Sequence, residues 1–289
     1  MGSLPEVPVH RVPSSGGVML ALHDLGGDGP PVLCCHPTGF LGMTWGPMAE
    51  GLADVAHAWA VDFRGHGAST APASGDHGWD SMADDVLAVV DALADRGATG
   101  LRGIGHSMGG TALLMAEERR PGTFTALWLY EPIVLPLARL PEAPAGQHPM
   151  AEVARRRRPR FPDRATAYAN FSAKPPLDRL APAALEAYVA HGLRDLPGGR
   201  AVELACAPET EARVFEASMG QEAYAGLAAV ACPVTVAVGG EASPPSLFGP
   251  AVVDALPHGR LERHDDLTHF GPMEDPATMA RAARAALGL

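Results

Sequence analysis

A serine between glycines marks the place where this chain could carry out nucleophilic chemistry. The segment "GIGHSMGG" (103–110) follows a predicted strand and begins a predicted helix, and Ser107 is the serine of its G-x-S-x-G pattern. Flanking glycines allow a sharp turn that lifts the serine hydroxyl above the carboxyl edge of a sheet. The start of the next helix directs free N–H groups to that point, where they stabilise a developing oxyanion. The alternative is a glycine turn with an incidental serine.

A single carboxylate, Glu131, interrupts the apolar run "LWLYEPIVLP" (127–136), directly before Pro132. Burying a carboxylate is costly unless another group pairs with it. The predicted strand that Glu131 ends comes after the serine's helix, and parallel strands place their carboxyl ends at one edge of a sheet. Glu131 is therefore a candidate partner for a base near Ser107.

These residues lie in an alternation of short apolar runs and longer helical patterns. The runs predict strands at 18–25, 31–37, 57–63, 101–106, 125–131, 233–239 and 260–266. Apolar positions at helical spacing predict helices over 79–93, 108–119 and 273–287. The alternation predicts an α/β fold with a mostly parallel central sheet flanked by helices.

The alternation breaks in the middle of the chain. Residues 134–226 contain a proline-rich stretch, the arginine run 155–158 and helical patterns at 163–171, 182–194 and 208–219. We expect an inserted helical lid there, with residues 1–133 and 227–289 forming the two parts of the core. The arginine run predicts a solvated helix face, or else one or two arginines that face a substrate anion.

Size and composition exclude several classes of protein. The chain has 289 residues, 47% of them hydrophobic, and a formal net charge of −11. That charge argues against nucleic acid or an anionic membrane as a partner, so we expect a small-molecule substrate. No signal-peptide pattern or metal-binding cysteine pair is present, which predicts a cytoplasmic protein without a metal or other cofactor. The oligomeric state stays open, a homodimer included, and the Ala-, Gly- and Arg-rich composition is typical of GC-rich bacterial genes.

The motifs together resemble the α/β-hydrolase fold superfamily. Besides the serine turn, the matching segments are "HPTGF" (36–40), "VDFRGHGAS" (61–69) and "LTHFGPMEDP" (267–276), which follow predicted strands. The resemblance covers the whole chain outside the expected lid. It implies a nucleophilic serine, a histidine base and an acid, arranged in the chain order Ser, acid, His.

The resemblance identifies His269 as the base, because the family places its catalytic histidine in the loop after the last strand. A surface loop histidine is the alternative. His36 and His106 resemble structural histidines that form hydrogen bonds with nearby turns, and His66 resembles a residue that holds loops together. Asp62 is expected to pair with Arg64 or to hold turns near the site.

The resemblance also implies an oxyanion hole built from two backbone amides. One belongs to Met108, which follows the serine. The other belongs to Thr38, because related chains often read His-Gly-x here and x supplies the N–H. In this chain Pro37 stands at the glycine position, which stiffens the loop and leaves the amide of Thr38 available.

The position of the acid departs from the usual family pattern. Most relatives carry an Asp shortly after the strand at 233–239, where this chain has Ala242 and Ser243. Glu131 is our first candidate, because some members of the superfamily carry their acid there. Glu241 is the second candidate, and either Asp265 or Asp266 is the third.

A serine nucleophile predicts an acyl-enzyme and hydrolysis of a carboxylic ester or lactone. Thioester or amide cleavage, C–C bond hydrolysis, perhydrolase or acyl-transfer chemistry, and a non-catalytic ligand-binding protein are the alternatives. A largely hydrophobic substrate is expected from the apolar character of the candidate pocket. That pocket consists of Phe40, Trp45, Ile133, Phe161, Tyr168, Phe171 and Phe270.

Overall fold

An eight-stranded sheet forms the centre of the described part of the chain. The computed structural model describes residues 7–134, 148–240 and 244–289. The sheet has the order β1-β2-β4-β3-β5-β6-β10-β11. The β1–β2 and β2–β4 pairs are antiparallel and the remaining pairs are parallel. Its strands are β1 (Val9–Pro13), β2 (Met19–Gly26), β3 (Pro31–Cys35), β4 (His57–Asp62), β5 (Arg102–His106), β6 (Ala126–Tyr130), β10 (Val234–Gly239) and β11 (Gly259–His264).

The predicted strands are confirmed, and each differs from its predicted bounds by no more than a few residues. Strand β1 was not predicted. It is an edge strand of five residues whose side chains are largely exposed, so it has no apolar run to mark it. The prediction of an α/β fold with a mostly parallel sheet is confirmed.

Helices cover both faces of the sheet. The helices are α1 (Gly46–Glu50), α2 (Trp79–Ala94), α3 (Met108–Arg119), α4 (Pro149–Arg155), α5 (Arg164–Ser172), α6 (Pro182–His191), α7 (Pro208–Ala217), α8 (Ala223–Gly226), α9 (Gly249–Ala255), α10 (Gly271–Glu274) and α11 (Pro276–Leu287). Strand β6 shows how the sequence builds the two layers, because its side chains alternate. Leu127 and Leu129 pack into the core under α2 and α3, whereas Trp128 and Tyr130 pack into the core under α1 and α11.

The segment between β6 and β10 contains α4 to α8 and a small antiparallel sheet of order β7-β9-β8. Helices α5, α6 and α7 lie where the helical patterns predicted them. The small sheet consists of β7 (Arg160–Phe161), β8 (Leu193–Asp195) and β9 (Val202–Leu204). It was not predicted, because strands of two or three residues are too short to show an alternation. We call the described part of this segment, residues 148–226, the insert.

Hydrogen bonds attach the insert to the core at separate points. The indole Nε1 of Trp79 donates to the carbonyl of Val214 at 3.0 Å, and Arg194 donates to the carbonyl of Gly67 at 2.8 Å. The insert therefore packs against the edge of the core that carries the loops after the strands. Within the described ranges, no helix is both long and apolar enough to span a membrane.

Candidate active site

Ser107 lies in a strained turn between β5 and α3. Strand β5 ends at His106 and helix α3 begins at Met108, so Ser107 alone makes the reversal. Its φ is +54° and its ψ is −120°, a conformation that costs a non-glycine residue about 1–3 kcal/mol. The amide of Ser107 donates to the carbonyl of Tyr130 at 2.9 Å, which fixes the turn to the end of β6.

The glycines on both sides of Ser107 are required by close backbone contacts. A Cβ atom on Gly105 would lie 2.6 Å from the Cα of Gly110. A Cβ atom on Gly109 would lie 2.3 Å from the carbonyl oxygen of Cys35, at the end of β3. Helix α3 can therefore begin directly beside the loop that follows β3 only because these positions lack side chains.

Glu131 is the other non-glycine residue with a positive φ in the described ranges, at +43°. Its carboxylate is fully buried, and Oε2 accepts a hydrogen bond from Nδ1 of His269 at 2.6 Å. Oε1 accepts from the amide of Gly239 at 2.8 Å. Because a carboxylate can only accept, Nδ1 donates this hydrogen bond, and Nε2 is the ring nitrogen that can accept a proton. The structure thus brings together two of the residues that the sequence singled out, 138 positions apart.

The loop that carries His269 is held by residues that the sequence analysis missed. The hydroxyl of Tyr130 donates to the carbonyl of Thr268 at 2.7 Å. The amide of Gly240 donates to the carbonyl of Leu267 at 2.8 Å, and the carboxylate of Glu274 accepts from the amide of Thr268 at 3.0 Å. Tyr130 stands next to Glu131 in the sequence, and that adjacency was the available signal.

The rival acids occupy different positions. Asp265 and Asp266 are exposed, and Asp265 pairs with Arg263 at 2.9 Å. Glu241 lies outside the described residues. Of the candidates that the structure describes, only Glu131 contacts His269.

The loop after β3 is held by two buried histidines. Nε2 of His36 accepts from the amide of Phe63 at 3.1 Å, and Nε2 of His66 accepts from the amide of Gly39 at 3.2 Å. Burial lowers the pKa of His36 to about 4 and that of His66 to about 3, so both rings are neutral at ordinary pH. The structural roles predicted for these two histidines are confirmed.

The two predicted oxyanion donors lie on adjacent segments. In the described ranges, the amide of Thr38 has no protein acceptor. Met108 begins α3, and the first amides of a helix have no partner within it. The contact of Gly109 with the end of β3 brings these two segments together.

His106 is fully buried and packs against neighbouring rings. Its ring centroid lies 4.8 Å from that of His269, and the ring meets Tyr130 edge-on at 5.7 Å. Burial and the neighbouring His269 hold the pKa of His106 well below its ordinary value. His106 therefore acts as a neutral packing surface for the ring of His269.

Asp62 was expected either to pair with Arg64 or to hold turns near the site, and it does not pair with Arg64. The guanidinium of Arg64 instead donates two hydrogen bonds to Asp85 of α2, at 2.7 and 2.9 Å. Asp62 accepts from Nε2 of His23 at 2.9 Å and from the amide of Gly42 at 2.6 Å. Its predicted role in holding turns is confirmed, and the partner of Arg64 was missed because it lies in a separate helix.

Four of the candidate pocket residues form a row of aromatic rings from the core to the insert, together with Tyr188. Phe40 lies 5.7 Å from Phe270 and 5.2 Å from Tyr188, and Phe171 lies 5.6 Å from Tyr188 and 5.2 Å from Phe161. Tyr188 was not predicted. Trp45 is fully buried in the core, whereas Ile133 and Tyr168 are partly buried at its margin.

Carboxylates pair with several arginines of the insert. Arg155 pairs with Glu209 at 3.0 Å and with Glu216 at 2.8 Å, near the surface. Arg157 turns inward and pairs with Glu211. The interpretation of the run as a solvated face holds for its exposed members, Arg156 and Arg158.

Comparison with known proteins identifies the family. The model of an alpha/beta hydrolase family matches residues 32–282. The chain belongs to the α/β-hydrolase family. None of the curated proteins compared with this hydrolase matches its sequence.

Solved structures share its fold along nearly the whole chain. An E-2-(acetamidomethylene)succinate hydrolase is 18% identical, with a TM-score of 0.77 and coverage of 98% of this chain and 100% of that one. The N-formylmaleamic acid deformylase of Pseudomonas putida S16 is 18% identical, with a TM-score of 0.72 and coverage of 96% and 100%. A thermophilic esterase from Thermogutta terrifontis is 22% identical, with a TM-score of 0.70 and coverage of 97% and 98%.

Proposed function

We propose that this α/β-hydrolase cleaves a carboxylic ester or lactone of a small, largely hydrophobic substrate through an acyl-enzyme. Ser107 is the nucleophile, His269 the general base and Glu131 the acid that orients it. The amides of Thr38 and Met108 form the oxyanion hole, and the insert acts as a lid over the substrate.

The observation that carries this proposal is the hydrogen bond between Glu131 and Nδ1 of His269. It leaves Nε2 to accept the proton of Ser107 as the hydroxyl oxygen attacks the substrate carbonyl. The carbonyl oxygen becomes an oxyanion that accepts from the amides of Thr38 and Met108. His269 then returns the proton to the leaving alcohol, and a water activated by the same ring hydrolyses the acyl-enzyme.

Backbone strain supports the same assignment. In the described ranges, the two non-glycine residues with positive φ are Ser107 and Glu131, the proposed nucleophile and the proposed acid. Such strain persists only where surrounding contacts enforce it, and it is concentrated at functional sites. The row of rings from Phe270 to Phe161 supports a hydrophobic acyl group, because aromatic side chains offer large apolar contact areas.

Solved structures with the same fold include a deformylase as well as an esterase, so the reaction of this protein must be tested directly. The experiment is the initial rate of hydrolysis of aryl esters, alkyl esters and lactones of increasing acyl length, for the wild type and Ser107→Ala. We expect the substitution to lower kcat by about 10⁴-fold or more, because it removes the nucleophile. Ser172→Ala, at an exposed serine of α5, is the matched control and keeps the wild-type rate.

Two outcomes would contradict the proposal. Ester hydrolysis that survives Ser107→Ala would place the nucleophile elsewhere. A wild type that hydrolyses none of the esters or lactones would refute the ester and lactone reaction.

A further inference from the structure

A buried carboxylate of the insert lies against the loop that holds the proposed oxyanion donor. Glu211, on α7, is 7% exposed. A Cβ atom on Gly39 would lie 2.7 Å from its Oε1 and 2.8 Å from its Cδ. Gly39 has a φ of +79° and directly follows Thr38. Glu211 therefore touches the backbone of the loop from the side of the insert.

A negative charge at this place would oppose the proposed reaction. The transition state develops an oxyanion at the amide of Thr38, one residue from the contact with Glu211. Two like charges several ångströms apart repel each other by about 2 kcal/mol at an effective dielectric constant of about 20. Unless Glu211 is neutralised, the contact that positions the loop would weaken the oxyanion hole.

Arg157 supplies the opposite charge. Its guanidinium pairs with Glu211, and its Nη2 donates to the hydroxyl of Tyr188 at 2.6 Å. Burial acts to lower the pKa of Arg157, but Tyr188 and Glu211 raise it above its ordinary value, so the guanidinium stays charged. The ring centroid of Tyr188 in turn lies 5.2 Å from that of Phe40, the residue that follows Gly39 in the sequence.

Arg155 shows that not every arginine of the run pairs with a carboxylate that touches the loop at Gly39. It pairs with Glu209 and Glu216 near the surface, whereas the three atoms nearest to a Cβ on Gly39 all belong to Glu211. The two arginines stand two positions apart, carry the same charge and both pair with α7. They differ in whether the carboxylate that they neutralise touches the loop.

We propose that Arg157 is a positioning residue that balances the charge of Glu211, so that the insert can clamp the loop at Gly39 without opposing the oxyanion. This inference rests on the proposed function, because it needs an oxyanion at Thr38. It assigns Arg157 to the stabilisation of the transition state rather than to a substrate anion.

The test compares Arg157→Met, Glu211→Gln and the double variant in hydrolysis of p-nitrophenyl acetate. We expect Arg157→Met to lower kcat by about 10- to 100-fold with little change in KM, because the oxyanion exists only in the transition state. Glu211→Gln keeps the shape that contacts Gly39 and removes the charge, so the double variant should recover most of kcat. Arg155→Met is the matched control and should keep the wild-type kcat.

A double variant as slow as Arg157→Met would overturn the inference, since a purely structural role of Arg157 is not rescued at Glu211. If thermal unfolding shows that Arg157→Met does not fold, the kcat of Glu211→Gln alone tests the inference. A kcat above that of the wild type supports the inference, because Arg157 is left as an unbalanced positive charge near the oxyanion, and an unchanged or lower kcat contradicts it. A wild type inactive on this ester refutes the proposed function instead, whereas an active wild type with an equally active Arg157→Met refutes only the inference.

Discussion

Replacing Glu131 by glutamine removes one charge from the site with almost no change of shape. Comparing this variant with the wild type therefore isolates the charge that faces Nδ1 of His269 at 2.6 Å. The imidazolium and the carboxylate have charge centres about 4 Å apart, which corresponds to about 4 kcal/mol at an effective dielectric constant of about 20. Loss of that stabilisation in the transition state predicts a fall in kcat of about a thousandfold.

The assay is kcat and KM for p-nitrophenyl esters, with the rival acid as the matched control. We expect Glu131→Gln to lower kcat with little change in KM, and Glu241→Gln to behave like the wild type. We expect the variant to fold, because the glutamine side chain can still accept a hydrogen bond from the amide of Gly239. Circular dichroism and thermal unfolding check that it does. A Glu131→Gln variant within about threefold of the wild-type kcat, with a large loss in Glu241→Gln, would refute the assignment of the acid.

Three further predictions concern packing and pH. Gly109→Ala places a Cβ 2.3 Å from the carbonyl oxygen of Cys35, so we expect urea unfolding to show a loss of up to about 3 kcal/mol, together with slower ester hydrolysis. Burial lowers the pKa of His36 to about 4 and of His66 to about 3, so the unfolded chain binds protons below about pH 6.5 while the folded chain does not. Urea unfolding should therefore show about 2 kcal/mol less stability per histidine at about pH 5 than at about pH 7.5. Burial raises the pKa of Glu118 to about 7, so Glu118→Gln should stabilise the protein by about 1 kcal/mol at about pH 7.5 and leave it unchanged at about pH 4.5.

Each of these predictions has a control or a contradicting result. Gly46→Ala should be tolerated where Gly109→Ala is not, because a Cβ atom on Gly46 would meet no other atom within 4 Å. His66→Gln keeps an acceptor for the amide of Gly39, and it should reduce the loss of stability that urea unfolding shows at acid pH. An unchanged pH dependence of the stability would contradict the attribution of that loss to His66. Glu117→Gln should destabilise the protein, because Glu117 accepts from the amides of Gly122 and Phe124 at 2.7 and 3.0 Å.

The sequence could predict the parts of the site that depend on local pattern. The glycines around Ser107 indicate the turn, and the apolar run over 126–130 indicates a strand that ends at Glu131. Glu131 was predicted because one carboxylate in an apolar run needs a partner, although its distance of 138 positions from His269 could not show that the two meet.

Contacts between residues far apart in the sequence depend on tertiary packing, and local patterns could not predict them. Arg64 pairs with Asp85 rather than Asp62, because the approach of α2 to the end of β4 decides which carboxylate is nearest. Tyr188 and Glu211 carry no local signal either, since each becomes part of the site only when the insert packs on the loop after β3.

The most direct test of the central claim is to identify the residue that carries the acyl group. The enzyme is mixed with p-nitrophenyl acetate, quenched in acid during turnover, digested and analysed by peptide mass spectrometry. We predict an acetyl group on Ser107 in the wild type and, formed more slowly, in Glu131→Gln, because His269 acts as the base in both the formation and the hydrolysis of the acyl-enzyme. Acetyl on another residue, or turnover without any acetyl-enzyme in either protein, would contradict the proposed mechanism.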